Sequence, residues 1–188
     1  MKQVVAFVSL IVIGHSILNA QVWLKPAVGL NSIDFSKDPA SGHYTSRIGY
    51  QGGLSLLIGR TVFIEPGAFY LRESNYITDT TSRNKVKYDT SGFRFPLAIG
   101  VELWDKDRHT IGFRFFGGPS LFFPANVKNK SRNDYKTSLF AGVGIDISFF
   151  FIEAQYDWLV TNVQKDLSEI NVGEKRSLFF NAGIRIRL

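Results

Sequence analysis

From Gln21 onward, hydrophobic and polar positions alternate one by one in segment after segment. A period of two puts successive side chains on opposite sides of an extended chain, so each segment predicts a two-faced β-strand. The last is the clearest. Between Arg176 and Leu188, the residues Leu178, Phe180, Ala182, Ile184, Ile186 and Leu188 share one face, while Phe179, Asn181, Gly183, Arg185 and Arg187 share the other.

Seven more segments read the same way. In the first, Leu24, Pro26, Val28 and Leu30 oppose Lys25, Ala27, Gly29 and Asn31; in the second, Ile48, Tyr50, Gly52 and Leu54 oppose Arg47, Gly49, Gln51 and Gly53. The third sets Val62, Ile64, Pro66 and Tyr70 against Phe63, Glu65, Gly67 and Phe69. The fourth sets Phe93, Phe95, Leu97 and Ile99 against Arg94, Pro96, Ala98 and Glu102. Ile111, Phe113 and Phe115 oppose Arg114, Phe116 and Gly118 in the fifth, and Leu139, Val143 and Ile145 oppose Phe140, Gly142, Gly144 and Asp146 in the sixth. A two-residue turn at Ser148–Phe149 would pair Asp146 with Phe151 and Ile145 with Ile152. The seventh strand then keeps Ile152, Ala154, Tyr156 and Trp158 on the apolar face and Glu153, Gln155 and Asp157 on the polar one, in agreement with the alternation.

The connections alternate in length. Polar stretches at Ser32 to Ser46, Arg72 to Asp89, Pro124 to Tyr135 and Val160 to Lys175 read as long loops, while Gly59–Thr61, Asp105–Arg108 and Ser148–Phe149 read as tight turns. Long loops at one end and short turns at the other are the asymmetry of a barrel that crosses a bilayer. The predicted fold is therefore all-β, an eight-stranded antiparallel up-and-down transmembrane β-barrel with both ends of the chain at the short-turn side. Pro26, Pro66, Pro96 and Pro119 fall inside these strands. Each lacks a ladder donor, so bulges or strand ends are expected at them.

Alternation alone does not say which face is out, and a soluble lipocalin-like ligand-binding barrel also has eight strands. The composition of the polar face decides. It is rich in glycine, with isolated charges among them, which suits a crowded interior better than a solvated surface. The inward charges nearly balance, as charges removed from water must. Strand directions place Lys25, Glu65, Glu102, Arg114, Asp146, Glu153, Arg185 and Arg187 in the half of the lumen nearest the short turns, with Arg185 and Arg187 facing Glu153 and Asp146 nearby and Glu65 or Glu102 across the lumen. The expectation is a salt-bridged plug; a small gated pore or proton path is the alternative.

Met1–Lys2–Gln3 supplies a positive start, Val4 to Gly14 an apolar run, and Ala20 a small residue before Gln21. This pattern predicts a secretory signal peptide over 1–20 and a barrel domain over 21–188. The formal net charge is +6, but the basic residues are scattered and often sit beside acids, so no nucleic-acid partner is expected.

Several short strand motifs carry a family resemblance: Phe63-Ile64-Glu65-Pro66-Gly67, Phe95-Pro96-Leu97, Phe116-Gly117-Gly118-Pro119-Ser120, Ala141-Gly142-Val143-Gly144-Ile145-Asp146, Gln155-Tyr156 and Leu159-Val160-Thr161-Asn162-Val163. They resemble the PorT-like outer-membrane β-barrel proteins of Bacteroidetes-type bacteria. The resemblance implies a bacterial outer-membrane location and a non-enzymatic envelope role, or a place as membrane subunit of a secretion or surface assembly. The ending Gly183-x-x-Ile186-x-Leu188 resembles the signal read by the barrel-assembly machinery, with Leu188 where that signal more often has Phe.

The chain has no cysteine, so thiolate chemistry and cysteine metal sites do not arise. His15, His43 and His109 have no metal-ligand spacing, and His43 with Ser41 or Ser46 is the pairing any polar loop produces. Gly142-Val143-Gly144 lacks the third glycine and the helix of a dinucleotide site. No catalytic residue, cofactor or metal is expected. The expected partners are outer-membrane lipid, the barrel-assembly machinery and envelope proteins, with lipopolysaccharide phosphates against Lys128, Lys130, Arg132 and Lys136.

Overall fold

The structure, a computed structural model, describes residues 21–35, 42–46, 48–79, 85–103, 111–125, 135–159 and 175–188. The proposed signal peptide lies outside these residues. The described residues form ten strands: β1 (Val22–Phe35), β2 (Gly42–Ser46), β3 (Ile48–Gly59), β4 (Val62–Asp79), β5 (Lys85–Leu103), β6 (Ile111–Pro124), β7 (Lys136–Ile147), β8 (Phe150–Leu159), β9 (Lys175–Ile184) and β10 (Ile186–Arg187). Both β2 and β3 pair with β4, and both β9 and β10 pair with β1, so the ten strands make eight staves. Each stave is antiparallel to the next, and β1 closes the ring against β9 and β10.

The register fixes the shape. Stepping through paired residues from Val22 leads to Ile58, Ile64, Ile99, Gly117, Ala141, Tyr156 and Leu178, and returns to β1 at Ser32 rather than Val22, ten residues along. That stagger over eight staves tilts the strands about 40° from the barrel axis and leaves an interior just wide enough for side chains to fill.

The apolar face points out. Val28, Ile48, Ile64, Ile99, Leu139 and Ile152 are among many large hydrophobic side chains exposed on the outer wall. About ten residues per stave at this tilt make an apolar band roughly 25 Å tall, the height that suits a hydrocarbon core. Aromatic side chains edge it at both ends. Tyr50, Tyr70, Phe93, Phe123 and Trp158 lie on the outer face toward the long connections, and Phe113, Phe149 and Phe150 toward the short turns. Among the described residues, no helix is long and apolar enough to cross a membrane.

The predicted turn at Ser148–Phe149 forms, with Ser148 left-handed at φ 55° and Asp146 opposite Phe151. Gly59, at φ 131°, holds the turn before Arg60 in a conformation closed to other residues.

Two expectations are corrected. The stretches Ser32 to Ser46 and Arg72 to Asp89 are in large part strand rather than loop: β1 runs to Phe35, β2 adds Gly42–Ser46, and β4 and β5 stay paired out to Thr78 and Lys85. Ladder hydrogen bonds need only backbone, so pairing continues past the level where an apolar face is useful. The prolines, in turn, make neither bulges nor strand ends. The β3–β4 pairing skips the pair at Pro66, β4–β5 skips Pro96, β5–β6 skips Pro119, and β1 skips Pro26 between its pairings with β10 and β9. In each case the same register resumes. A tilted barrel accommodates a missing donor by a local gap in one ladder while the other neighbour stays paired. The register does change by one residue against β4 between β2 and β3, away from any proline.

Candidate functional site in the barrel lumen

Alternation turns Lys25, Glu65, Glu102, Arg114, Asp146, Glu153 and Arg185 inward, and all seven are buried. They form one connected network. Lys25 Nζ donates to Glu65 Oε1 and to Glu153 Oε1, each at 2.6 Å. Arg114 donates through Nε and Nη2 to the two Asp146 oxygens at 2.7 and 3.1 Å, a bidentate pair, and reaches Glu153 at 2.8 Å and Glu65 at 3.3 Å. Arg185 Nη1 bonds Asp146 Oδ2 at 2.5 Å and Glu102 Oε1 at 3.3 Å. The Ser55 hydroxyl donates to Glu65 at 2.6 Å. Charges this far from water persist only when paired and hydrogen-bonded, and these are.

Arg187 does not join them. It is exposed, and its guanidinium lies 5.9 Å from the Trp23 ring, which also receives Arg185 at 4.9 Å. Trp23 pairs with Arg187 in the register and packs on the inner apolar cluster, so it caps the lumen and leaves Arg187 beyond the cap. The layer therefore holds three cations against four carboxylates instead of the even balance expected with Arg187.

The lumen is also aromatic. Leu57, Phe63, Ala98, Phe116 and Phe140 form one buried cluster, and Ala27, Phe69 and Phe151 another. Lys25 Nζ sits 4.3 Å from the Phe151 centroid, and the Arg114 guanidinium 5.7 Å from the same ring. The rings shield the network from water while their faces attract its cations. They also explain the inward glycines: a Cβ at Gly142 would meet the Phe116 ring at 2.7 Å, and one at Gly183 the Phe151 ring at 2.8 Å. Sequence alone places these phenylalanines on the polar face without giving them a role. The available signal is that glycine and phenylalanine share that face.

A second charged layer lies toward the long connections. Arg94 bonds Asp157 at 3.0 Å and Gln155 at 3.3 Å, with its guanidinium 4.4 Å from the Phe179 ring. Gln51 donates to Asn181 over Gly29, which pairs with both across the intervening β1. Above them is a cavity of about 40 Å³ lined by Arg94, Ser120, Lys136, Asp157 and Ser177 among others. Lys136 thus belongs to the lumen mouth; Lys128, Lys130 and Arg132 lie outside the described residues. Among the described residues no group of three histidine, aspartate or glutamate side chains could hold a metal ion.

Gly183 faces inward opposite Ala27, whereas Ile186 and Leu188 are exposed outward along the closing seam, where the Leu188 amide donates to the Val22 carbonyl at 3.0 Å.

The arrangement has parallels among solved structures. Neisserial surface protein A superposes with a TM-score of 0.57 at 14% identity, covering 90% of this chain and 99% of that one. The fold is that of the eight-stranded outer-membrane barrels. The outer membrane protein OprG from Pseudomonas aeruginosa gives 0.53 at 10% identity, over 88% of this chain and 93% of its own. No protein-family model and no curated protein matches the sequence. At these identities the likeness is one of fold, carried by stave number and strand order.

Proposed function

We propose that this chain is a non-enzymatic integral protein of the bacterial outer membrane, with a structural or envelope role, whose lumen is closed by ion pairs. One observation carries the reading: the polarity of the barrel is inside out, with a continuous apolar wall outside and buried, mutually bonded charges within. Lipid is the solvent that suits such a wall. A soluble lipocalin-like carrier needs the reverse arrangement. The bidentate Arg114–Asp146 pair, flanked by Lys25, Glu65 and Glu153, supports a closed plug rather than an open channel.

The outward Ile186 and Leu188 beside Gly183 support recognition by the barrel-assembly machinery. The strand motifs support a place in the PorT-like family and, through it, service as the membrane subunit of a secretion or surface assembly. The basic stretch at Lys128, Lys130 and Arg132 supports contact with lipopolysaccharide phosphates.

The test is fractionation of the expressed protein with sarkosyl, together with gel mobility before and after boiling. The expected protein is sarkosyl-insoluble and shifts on heating. A soluble protein with a single mobility would end this reading.

A further inference from the structure

Toward the long connections the filling of the lumen changes from rings to hydroxyls. On β7 and β9 the next inward positions beyond Phe140 and Phe179 are Ser138 and Ser177, and Ser120 on β6 pairs with Ser138. These small side chains line the cavity of about 40 Å³ beside Arg94. Leu71 and Phe179 add apolar lining, together with Phe122, whose ring turns inward over Gly92: a Cβ on that glycine would meet it at 2.8 Å. Phe122, Lys136 and Ser138 are only half-buried, so among the described residues the cavity opens toward the long connections.

An unsatisfied donor and a charge balance say what the cavity takes. Arg94 is buried and its Nη atoms bond Gln155 and Asp157, yet its Nε has no hydrogen-bond partner. A buried N–H without an acceptor is costly, so an acceptor from outside the chain suits this position. In the lining, Arg94 and Lys136 stand against Glu73 and Asp157, and the charges cancel. A free anion at Nε would lie beside Asp157, and a free cation would lie beside Arg94; each would be buried without a counter-charge of its own. A hydroxyl group carries no charge, accepts from a guanidinium and donates to a carboxylate or a serine.

We propose that this cavity binds one neutral sugar unit at the long-connection mouth of the lumen. A sugar oxygen accepts from Arg94 Nε, neighbouring hydroxyls bond Ser120, Ser177 and Asp157, and the C–H face of the ring lies on Phe122. The space suits the hydroxyl-bearing edge of one ring: a water takes about 10–15 Å³ on this measure, so about three oxygens fit. The ion-paired layer nearer the short turns takes no part. Only the side from which the sugar arrives depends on the outer-membrane reading.

The experiment is ligand-observed saturation-transfer NMR on the full chain in micelles of a sugar-free amine-oxide detergent. Glucose, galactose, mannose, their methyl glycosides, glycine and acetate are titrated separately. Saturable transfer to at least one hexose is expected, with none to glycine or acetate. A methyl glycoside that binds as well as its hexose assigns the site to the terminal unit of a glycan, and one that does not assigns it to a free sugar; both outcomes uphold the site. Arg94→Lys keeps a cation beside Asp157 but removes the Nε donor, and should weaken hexose binding about tenfold. Ser120→Ala removes one hydroxyl and should weaken it about fivefold. Ser177→Leu fills the cavity and should abolish it. Arg187→Gln, at the short-turn end, should leave it unchanged. Heat-modifiable mobility checks that each variant is folded, and Ser120→Ala, the mildest change, stays decisive where the others fail to fold. Transfer to glycine or acetate as strong as to any hexose would overturn the proposal. So would no saturable transfer to any probe, the result if water alone meets Arg94, or hexose binding unchanged in every folded lumen variant. A chain that binds sugar in micelles but is absent from the outer-membrane fraction would remove the location reading and leave the site.

Discussion

Lys25 on β1 and Glu153 on β8 are joined at 2.6 Å although β9 lies between them in the sheet. The bond reaches inward over the last full stave and ties the first stave to the seventh. Closing the ring is the least local event in this chain, because β1 must meet strands more than a hundred residues away. A charge pair that spans the seam holds it from inside, just where β1 has its ladder gap between β9 and β10.

Replacing Lys25 with Met leaves two buried carboxylates, Glu65 and Glu153, without their shared ammonium. Removing one member of a buried ion group destabilises by about 3–5 kcal/mol. Urea unfolding in detergent micelles should show that loss. Adding Glu65→Gln and Glu153→Gln should recover part of it, because the stranded charges are gone. A midpoint unchanged in the single variant would show that the seam does not depend on this bond.

The two arginines of the closing stave should behave differently. Arg185→Gln gives up its bonds to Asp146 and Glu102 and should lower stability by a few kcal/mol. Arg187→Gln removes an exposed group against the Trp23 edge and should change it by less than about 0.5 kcal/mol. Equal losses in the same unfolding assay would place Arg187 inside the network after all.

Glycines on the two faces make a second contrast. Gly142→Val drives a side chain into the Phe116 ring and should cost about 1–3 kcal/mol or prevent folding. Gly52→Val enters open space on the outer wall and should be neutral or stabilising. Comparing heat-modifiable transition temperatures would decide, and a Gly142→Val protein as stable as the parent would mean that the lumen is loosely packed.

The ion-paired lumen should not conduct. In planar lipid bilayers the purified protein is expected to give no stable large conductance. Arg114→Ala, which removes the hub of Asp146, Glu153 and Glu65, is the variant expected to leak, unless the loss of the hub unfolds it. Porin-like currents from the parent protein would overturn the plug.

Much of this was legible from alternation, because a period of two is a local property of the backbone. Which residues share a face, the parity carried through the Ser148–Phe149 turn and the number of staves follow from adjacent residues alone. Strand ends at the polar side were not legible. Pairing between β4 and β5 continues out to Thr78 and Lys85, and a ladder built from backbone groups needs no alternation to mark it. Nor was the accommodation of the prolines, which depends on which neighbour each missing donor would face.

For the lumen, sequence alone determined the shared face: strand parity puts Lys25, Glu65, Glu102, Arg114, Asp146, Glu153, Arg185 and Arg187 on one side of the sheet, and the composition of that side points it inward. Only tertiary structure decided their partners. The ten-residue stagger determines which staves stand at the same height, and it brings Lys25 to Glu65 and Glu153 and leaves Arg187 outside the Trp23 cap. That stagger is a property of the closed ring. No single strand contains it.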